Sequence, residues 1–282
     1  MNIRRLPIVG SFLEARYRRR FRSANGLGTW YGDFEAFEAA AAGAPQGAPI
    51  GYDTPGTETL YDNFFRVDAK GFPVLFWLEK ILKPGARIFD FGGHVGHTFL
   101  AYRELLSEGA TMDWKVYDVP TVVAEGCRRV AKGGLQRLSF TSDFADASGA
   151  DVLHAAGSLQ YAPRTLPDMI SDLPTPPAHI IINMMPTVAA KTIVTLQNIG
   201  PSYCPYRIEG RSILPRGLAA LGYDQVAGWE NPEGRTHVPY DRQARRISWV
   251  GFYFRRSSSP IGERYPESSS AFAEWHGQQP GS

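Results

Sequence analysis

The sequence predicts an α/β protein built on a doubly wound, mostly parallel sheet with helices on both faces. Beyond Gly85, short apolar runs typical of strands alternate with stretches of helical periodicity, and this alternation is typical of parallel sheets. The first of these runs also leads directly into a glycine-rich turn that opens a helix, which is where such sheets bind ligands.

The strands of this sheet are expected in five runs, at residues 87–91, 114–117, 137–141, 151–155 and 179–183. Helices are expected between them, where apolar residues recur every three or four positions, at residues 95–106, 120–132 and 163–173. A polar loop joins two further strand-like runs, which should therefore form a hairpin, at residues 223–229 and 247–255.

The parts outside the sheet are organised less regularly. Two packing helices are expected at residues 57–69 and from Pro73 to the residues before Lys83-Pro84-Gly85. Residues 26–56 are rich in Gly, Ala and Pro and should form an irregular segment over the core. The predicted organisation is an N-terminal segment (1–56), the α/β domain (57–256) and a flexible tail (257–282).

The first 22 residues form a basic arm with seven arginines and one acid, Glu14. Such an arm is either a solvated terminus or, if helical, a helix lying on an anionic membrane surface. We find no apolar run long enough for a membrane helix or a secretion signal, so we expect a cytoplasmic protein, with peripheral contact at the inner face of the membrane as the alternative.

Composition excludes several other classes. A net charge of +2 and a charged fraction of 21% are ordinary for a globular protein and unlike a nucleic-acid-coating chain, so no nucleic-acid partner is expected. Cys127 and Cys204 form no CxxC pair, so neither a metal site nor a disulfide framework is predicted.

The most informative stretch is Arg-Ile-Phe-Asp-Phe-Gly-Gly-His-Val-Gly-His-Thr, residues 87–98, in which a strand ends at Asp90 and passes through glycines into a helix. Glycines let the chain turn tightly, and a helix start presents unpaired N–H groups. The next strand ends at Asp118, whose carboxylate can accept hydrogen bonds from both hydroxyls of a ribose. Turn and acid together fit a nucleoside-containing cofactor, NAD included.

Asp90 favours one such cofactor over another. A carboxylate close to the turn would repel a pyrophosphate, whereas it would attract the ammonium and sulfonium groups of S-adenosylmethionine. The acid before the glycines therefore favours the sulfonium cofactor.

This turn resembles the first motif of the class I S-adenosylmethionine-dependent methyltransferases, acid-x-Gly-x-Gly-x-Gly, with His94 in place of the middle glycine. The runs DFGGHVG, VYDVP, SDF, Ser-Leu-Gln-Tyr and Thr-Leu-Gln-Asn-Ile are similar, over residues 50–255, to a bacterial methyltransferase group associated with lipopolysaccharide and surface-polysaccharide genes. The resemblance implies a Rossmann-like sheet of seven strands with an antiparallel terminal strand. It also implies a sugar, nucleotide-linked sugar or glycan as methyl acceptor.

The same resemblance implies the cofactor contacts. Gly92, Gly93 and Gly96, after Asp90, would accommodate the methionine part, and Asp118 with the adjacent Val119 would bind the ribose. Asp143 and Phe144 would flank the adenine, although Asp143 could equally be a helix cap or turn residue.

Catalytic candidates are less clear. Phenol O-methyltransferases, which the VYDVP run also resembles, place a catalytic histidine where this chain has Gln160, and an amide cannot act as a general base at neutral pH. The other candidates are His154 and Tyr161, together with Asn183, which could orient a substrate hydroxyl. A polar cluster is a further source of site residues, namely Gln197, Asn198, Tyr203 and Arg207.

Methyl transfer needs little chemical help beyond in-line positioning, so the missing histidine does not exclude an enzyme. A catalytically idle, methyltransferase-like binding module in a membrane-associated assembly is the alternative. A nicotinamide oxidoreductase is disfavoured because no Tyr-x-x-x-Lys pair is found, and a nucleic-acid methyltransferase because no Asn/Asp-Pro-Pro-Tyr/Phe run follows the fourth strand.

Overall fold

A computed structural model describes residues 7–61, 67–189, 191–239 and 246–257. The helices are α1 (Pro7–Phe21), α2 (Phe37–Ala42), α3 (Phe72–Ile81), α4 (His97–Tyr102), α5 (Pro120–Gly133), α6 (Leu166–Ser171) and α7 (Ile213–Ala220). The strands are β1 (Thr29–Phe34), β2 (Arg87–Phe91), β3 (Asp113–Tyr117), β4 (Leu138–Thr141), β5 (Val152–Ala156), β6 (His179–Val188), β7 (Ile193–Asn198), β8 (Tyr203–Gly210), β9 (Tyr223–His237) and β10 (Arg246–Arg256).

The centre of the sheet is parallel, with the strands in the order β4-β3-β2-β5-β6. These are the five strands that the sequence predicts. β10 pairs antiparallel with β6, and β9 pairs antiparallel with β10, so the predicted hairpin forms one edge. Because parallel strands end at the same edge of a sheet, the turns that follow β2, β3 and β5 lie side by side.

The two faces of the sheet are covered by different helices. On one face the core contains Val74 and Leu78 of α3 together with Phe99 of α4. On the other it contains Ile170 of α6 and Leu218 of α7. Burying apolar side chains on both faces accounts for the nearly continuous apolar runs of the central strands, and the mixed α/β fold is as the sequence predicts.

The number of strands differs from the prediction. The sheet has ten strands in the described residues, whereas seven are expected from the resemblance. The additional strands form an antiparallel branch in the order β1-β7-β8, which joins the main sheet where Thr187 and Val188 of β6 pair with Glu209 and Gly210 of β8. β7 and β8 form a hairpin of neighbouring segments that was not predicted, whereas β1 joins it from a distant part of the chain.

The N-terminal segment is more regular than predicted. Residues 26–56 were expected to be irregular but contain β1 and α2, and β1 is held by β7, more than 150 residues later in the sequence. α1 packs on this branch through Phe21, which is 2% exposed and contacts the ring of Tyr203 at 5.3 Å. The packing, not the local sequence, therefore determines the structure here.

The remaining differences concern element lengths. The helix predicted at residues 57–69 appears as a single 3₁₀ turn, Thr57–Thr59, and residues 62–66 lie outside the described part. α4 is shorter than the predicted helix at residues 95–106, whereas α3 and α5 match their predictions. Most of the predicted tail, from residue 258 onward, lies outside the described residues. In the described part, no helix is both long and apolar enough to cross a membrane.

Candidate cofactor-binding and active site

A cavity of about 950 Å³ opens at the carboxyl edge of the parallel strands. This is at the upper end of the roughly 300–1,000 Å³ typical of small-molecule sites. Its glycine-turn side is formed by the turn after β2 and the ends of β3 and β4, with Gly92, Gly93, His94, His97, Asp118, Val119 and Phe144. Its tyrosine side lies beyond the loop after β5, with Tyr52, Tyr61, Tyr161, Met184 and Trp249.

The glycines of the turn are required by close packing within the protein. Gly92 has φ +68°, and a Cβ there would lie 2.3 Å from the Cβ of Ser158 in the loop after β5. A Cβ on Gly93 would lie 2.3 Å from Oδ2 of Asp90. Since real Cβ atoms do not approach so closely, any side chain at these positions would push the turn away from the strands beneath it.

Asp90 lies beneath the turn in a buried polar network. It is 1% exposed, and its Oδ2 accepts a hydrogen bond from Nε1 of Trp114 at 3.0 Å. Its Oδ1 lies 2.8 Å from Nδ1 of His154, the residue opposite it on β5. Both oxygens are therefore held by protein groups, and Asp90 fixes the end of β2 under the turn.

His154 belongs to this network and not to the cavity wall. It is 1% exposed and is not among the residues that line the cavity. Because a carboxylate can only accept, Nδ1 carries the proton toward Asp90, and Nε2 is buried without a hydrogen-bond partner in the described part of the chain. The structure thus does not bring this candidate base to the site.

Asp118 lines the cavity and is positioned by two backbone N–H groups. Its Oδ2 accepts from His94 at 2.9 Å and its Oδ1 from Val119 at 2.8 Å. A carboxylate has about four lone-pair positions, so acceptor capacity remains for a ligand hydroxyl. Burial raises the pKa of Asp118 to about 6, with the backbone hydrogen bonds opposing part of that rise. The group is ionised at neutral pH and above.

Asp143 and Phe144, in the turn that follows β4, have separate roles. Phe144 lines the cavity, and its ring packs edge-on against Tyr117 with the centroids 5.8 Å apart. Asp143 is exposed and does not line the cavity; its Oδ1 accepts from the N–H of Ala145 at 2.9 Å and caps the turn Phe144–Ala147. Asp143 therefore takes the capping role that the sequence left open as its alternative.

Phenol groups are concentrated on the tyrosine side. The hydroxyls of Tyr52 and Tyr61 are 2.9 Å apart, and the hydroxyl of Tyr161 donates to Oε1 of Gln197 at 2.6 Å. The rings of Tyr52 and Tyr161 meet edge-on at 4.7 Å. Burial raises the pKa values of all three tyrosines and raises that of the Cys204 thiol to about 12. At neutral pH these groups stay protonated and cannot serve as general bases.

Of the two remaining catalytic candidates, Gln160 lies at the cavity and Asn183 does not. Gln160 lines the cavity beside Tyr161, and its Nε2 donates to the carbonyl of Gly157 at 2.6 Å. Asn183 is 5% exposed and absent from the cavity lining; its Nδ2 donates to the carbonyl of Lys70 at 2.9 Å, and its Oδ1 accepts from Nε1 of Trp229 at 3.0 Å. Asn183 thus joins three segments of the fold.

The polar cluster is mainly structural. Arg207 pairs with Glu209 at 3.0 Å and donates to the carbonyls of Pro163 and Arg164, which fixes a loop that lines the cavity. Asn198 and Tyr203 both donate to the carbonyl of Phe21 and hold the end of α1. Gln197 is connected to the cavity wall through Tyr161.

Several lining residues were not predicted. Tyr52 and Tyr61 come from the segment before α3, Met184 from a distortion near the middle of β6 with φ +52°, and Trp249 from β10. For Tyr52 the available signal was the presence of aromatic residues in the Gly/Ala/Pro-rich segment, but nothing local connects that segment to the sheet edge. No group of three or more metal-ligating side chains occurs among the described residues.

Neither the protein-family models nor the curated proteins contain a match to this chain. Solved structures do match. The N-terminal domain of EvdMO1 with S-adenosylhomocysteine bound is 14% identical, covering 68% of this chain and 82% of its own, with a TM-score of 0.47.

Magnesium protoporphyrin IX methyltransferase (ChlM) from Synechocystis PCC 6803, also with bound S-adenosylhomocysteine, is 14% identical over 73% of this chain and 97% of its own, with a TM-score of 0.48. The [4+2]-cyclase SpnF is 13% identical over 76% and 100%, also with a TM-score of 0.48. Scores and identities this low carry no argument about function, which has to be drawn from the residues of the site.

Proposed function

We propose that this chain is an S-adenosylmethionine-dependent methyltransferase acting on a small-molecule acceptor. The observation that carries the proposal is one cavity that joins a glycine turn, an anchored carboxylate at Asp118 and a separate aromatic wall. A cofactor on the glycine-turn side and an acceptor on the tyrosine side would then meet within a single cavity.

The residues of the glycine-turn side fit a nucleoside. Asp118 retains acceptor capacity for ribose hydroxyls, and Phe144 with Tyr117 offers an aromatic wall for a base. Asp90 and Asp118 make this side negative, which suits a cationic ligand better than a pyrophosphate. When bound, S-adenosylmethionine supplies a methyl group made electrophilic by the sulfonium.

The tyrosine side is proposed to hold the acceptor. Tyr52, Tyr161 and Trp249 can stack on the apolar face of a sugar ring, which is consistent with the sugar, nucleotide-linked sugar or glycan implied by the resemblance. Neither Gln160 nor Tyr161 can remove the proton of the acceptor at neutral pH, so their proposed role is to orient the acceptor, and the proton released by methyl transfer would pass to solvent. The protein's contribution is then in-line positioning and exclusion of water.

We further propose that α1 contacts anionic membrane surfaces. Phe12 is 68% exposed, and its neighbours on the same face of the helix, Arg16 and Arg19, are exposed as well. Basic side chains beside an exposed aromatic residue are attracted to anionic lipid headgroups, where the ring can insert. This contact would bring the site to acceptors at a membrane.

The experiment that tests the function is calorimetric titration with S-adenosylmethionine and S-adenosylhomocysteine, with NADH as the control ligand. Micromolar binding of the sulfonium pair supports the proposal and leads to a radiolabelled methyl-transfer screen of nucleotide sugars and glycans. Binding without transfer to any acceptor favours the idle binding module. Absence of binding would refute the cofactor assignment.

A further inference from the structure

His94 occupies the position where the related motif has its middle glycine, and it keeps a glycine-like backbone. Its φ is +54°, in the left-handed region that is unfavourable for residues with a Cβ. The side chain is 7% exposed, and its ring stacks on that of His97 with centroids 4.9 Å apart. The cost of this backbone conformation must be offset by contacts that the surrounding structure makes with the residue.

The His94 side chain also contacts a segment before α3. Its Nε2 lies 2.9 Å from the carbonyl oxygen of Thr57. Because a carbonyl only accepts, Nε2 is the donor and carries a proton. The ring of Tyr61, from the same segment, meets the imidazole edge-on at 5.4 Å.

We call residues 51–61 the strap, because they line the cavity through Gly51, Tyr52 and Tyr61 and are anchored to the rest of the fold at three points. The carbonyl of Gly51 accepts from Oγ of Ser202 at 2.6 Å at the start of β8. Oδ1 of Asp53 accepts from the hydroxyl of Thr121 at 2.6 Å at the start of α5. The third anchor is the contact with His94 described above.

We propose that His94 is a positioning residue that fastens the strap to the glycine turn, so that cofactor binding completes the tyrosine side. This inference rests on the proposed function. The backbone N–H of His94 holds Asp118 on the nucleoside side, while its imidazole holds the strap that carries Tyr52 and Tyr61. One residue therefore links the two sides of the cavity.

Coupling of this kind acts in both directions. A ligand that orders Asp118 and the turn also orders His94, and an ordered His94 keeps the strap closed. By the same linkage, releasing the strap weakens binding of the ligand by the same factor. The expected order of events is therefore cofactor first and acceptor second, because Tyr52 and Tyr61 form part of the acceptor wall only with the strap in place.

The test is His94→Gly, which removes the imidazole and suits the left-handed backbone, so the variant is expected to fold. Loss of one neutral hydrogen bond corresponds to a change of roughly 2- to 13-fold. Hydrogen–deuterium exchange should show strap amides such as those of Thr57 and Leu60 exchanging faster by about this factor in the free protein. S-adenosylhomocysteine should bind more weakly by a similar factor and slow strap exchange less than in the wild type.

Two further variants make the result specific. Arg137 is another non-glycine residue with a positive φ, +67°, and it does not line the cavity, so Arg137→Gly relieves the same kind of backbone strain and should leave strap exchange unchanged. His94→Gln returns a side-chain donor and should restore part of the strap protection. A merely structural effect of removing the ring would not be rescued in this way.

The outcomes separate the two proposals. Strap exchange in His94→Gly equal to that of the wild type, with and without S-adenosylhomocysteine, would overturn the role of His94 while leaving the cofactor assignment intact. Failure of the wild type to bind S-adenosylhomocysteine would reject the cofactor assignment. In that case the comparison of the free proteins still decides whether His94 fastens the strap.

Discussion

Replacing Asp118 by asparagine keeps the shape of the side chain and removes its charge. In the protein the carboxylate accepts hydrogen bonds from the backbone N–H of His94 at 2.9 Å and of Val119 at 2.8 Å. In the variant the side-chain NH2 group would replace one of these acceptor oxygens, so that two donors would face each other. The ribose hydroxyls would lose a charged acceptor as well. Hydrogen bonds to charged groups contribute about 1.5–3 kcal/mol, and S-adenosylhomocysteine should therefore bind roughly 10- to 150-fold more weakly.

Calorimetric titration at pH 8 measures this loss directly. Asp143→Asn is the matched control, because that carboxylate caps an exposed turn and does not line the cavity. Its affinity should equal that of the wild type. The assignment of Asp118 to the nucleoside would be refuted by an Asp118→Asn variant that binds as tightly as the wild type, or by an equal loss in Asp143→Asn.

The pH dependence of S-adenosylhomocysteine binding provides a second test of the role of Asp118. The pKa of Asp118 is raised from 3.8 to about 6 by burial, so wild-type affinity should be constant above about pH 7 and fall about tenfold per pH unit below 6. Asp118→Asn should show no such fall. Because the fold disfavours the ionised form, the contribution of this group to stability is greatest below pH 3.8 and declines as the pH rises through 6, by at most about 3 kcal/mol.

Three further predictions concern the frame of the site and the first helix. Gly92→Ala combines a positive φ of +68° with a crowded Cβ position, so it should lower the free energy of unfolding by about 2–5 kcal/mol in a urea titration. The control Gly134→Ala has a φ of +61° but open space around the Cβ, so it should lower the same free energy by only about 1–2 kcal/mol. Asp90→Ala leaves two buried donors unpaired and should cost about 3–5 kcal/mol in the same assay. Replacing Arg16 and Arg19 by Glu should abolish cosedimentation with phosphatidylglycerol vesicles, because each substitution should cost about 1 kcal/mol or more of membrane-binding free energy. Cosedimentation equal to that of the wild type would contradict the membrane contact.

The central part of the fold was predictable because its signals are local. Each parallel strand is a short apolar run bounded by polar or turn residues, and α3 and α5 follow the helical period. The glycine turn and Asp118 could be placed at one edge without any contact information, since parallel strands end on the same side of a sheet. The cavity does lie at that edge.

The choice between cavity wall and core was not predictable for polar residues on strands. His154 and Asn183 are residue types that often act in catalysis, yet both are turned into buried hydrogen-bond networks by their neighbours. For His154 the neighbour is Asp90, placed opposite it by the register of β2 and β5. Side-chain direction depends on such pairing, which a single strand does not encode.

By itself, the sequence determined which runs form the parallel strands, the glycine turn and the acid at the end of β3, because each depends on residues close together in the chain. Only the tertiary structure decided that β1 joins β7, that the strap lines the cavity and that Trp249 reaches its wall. These features join segments separated by many residues, and their stability comes from pairing and burial that exist only once the chain has folded.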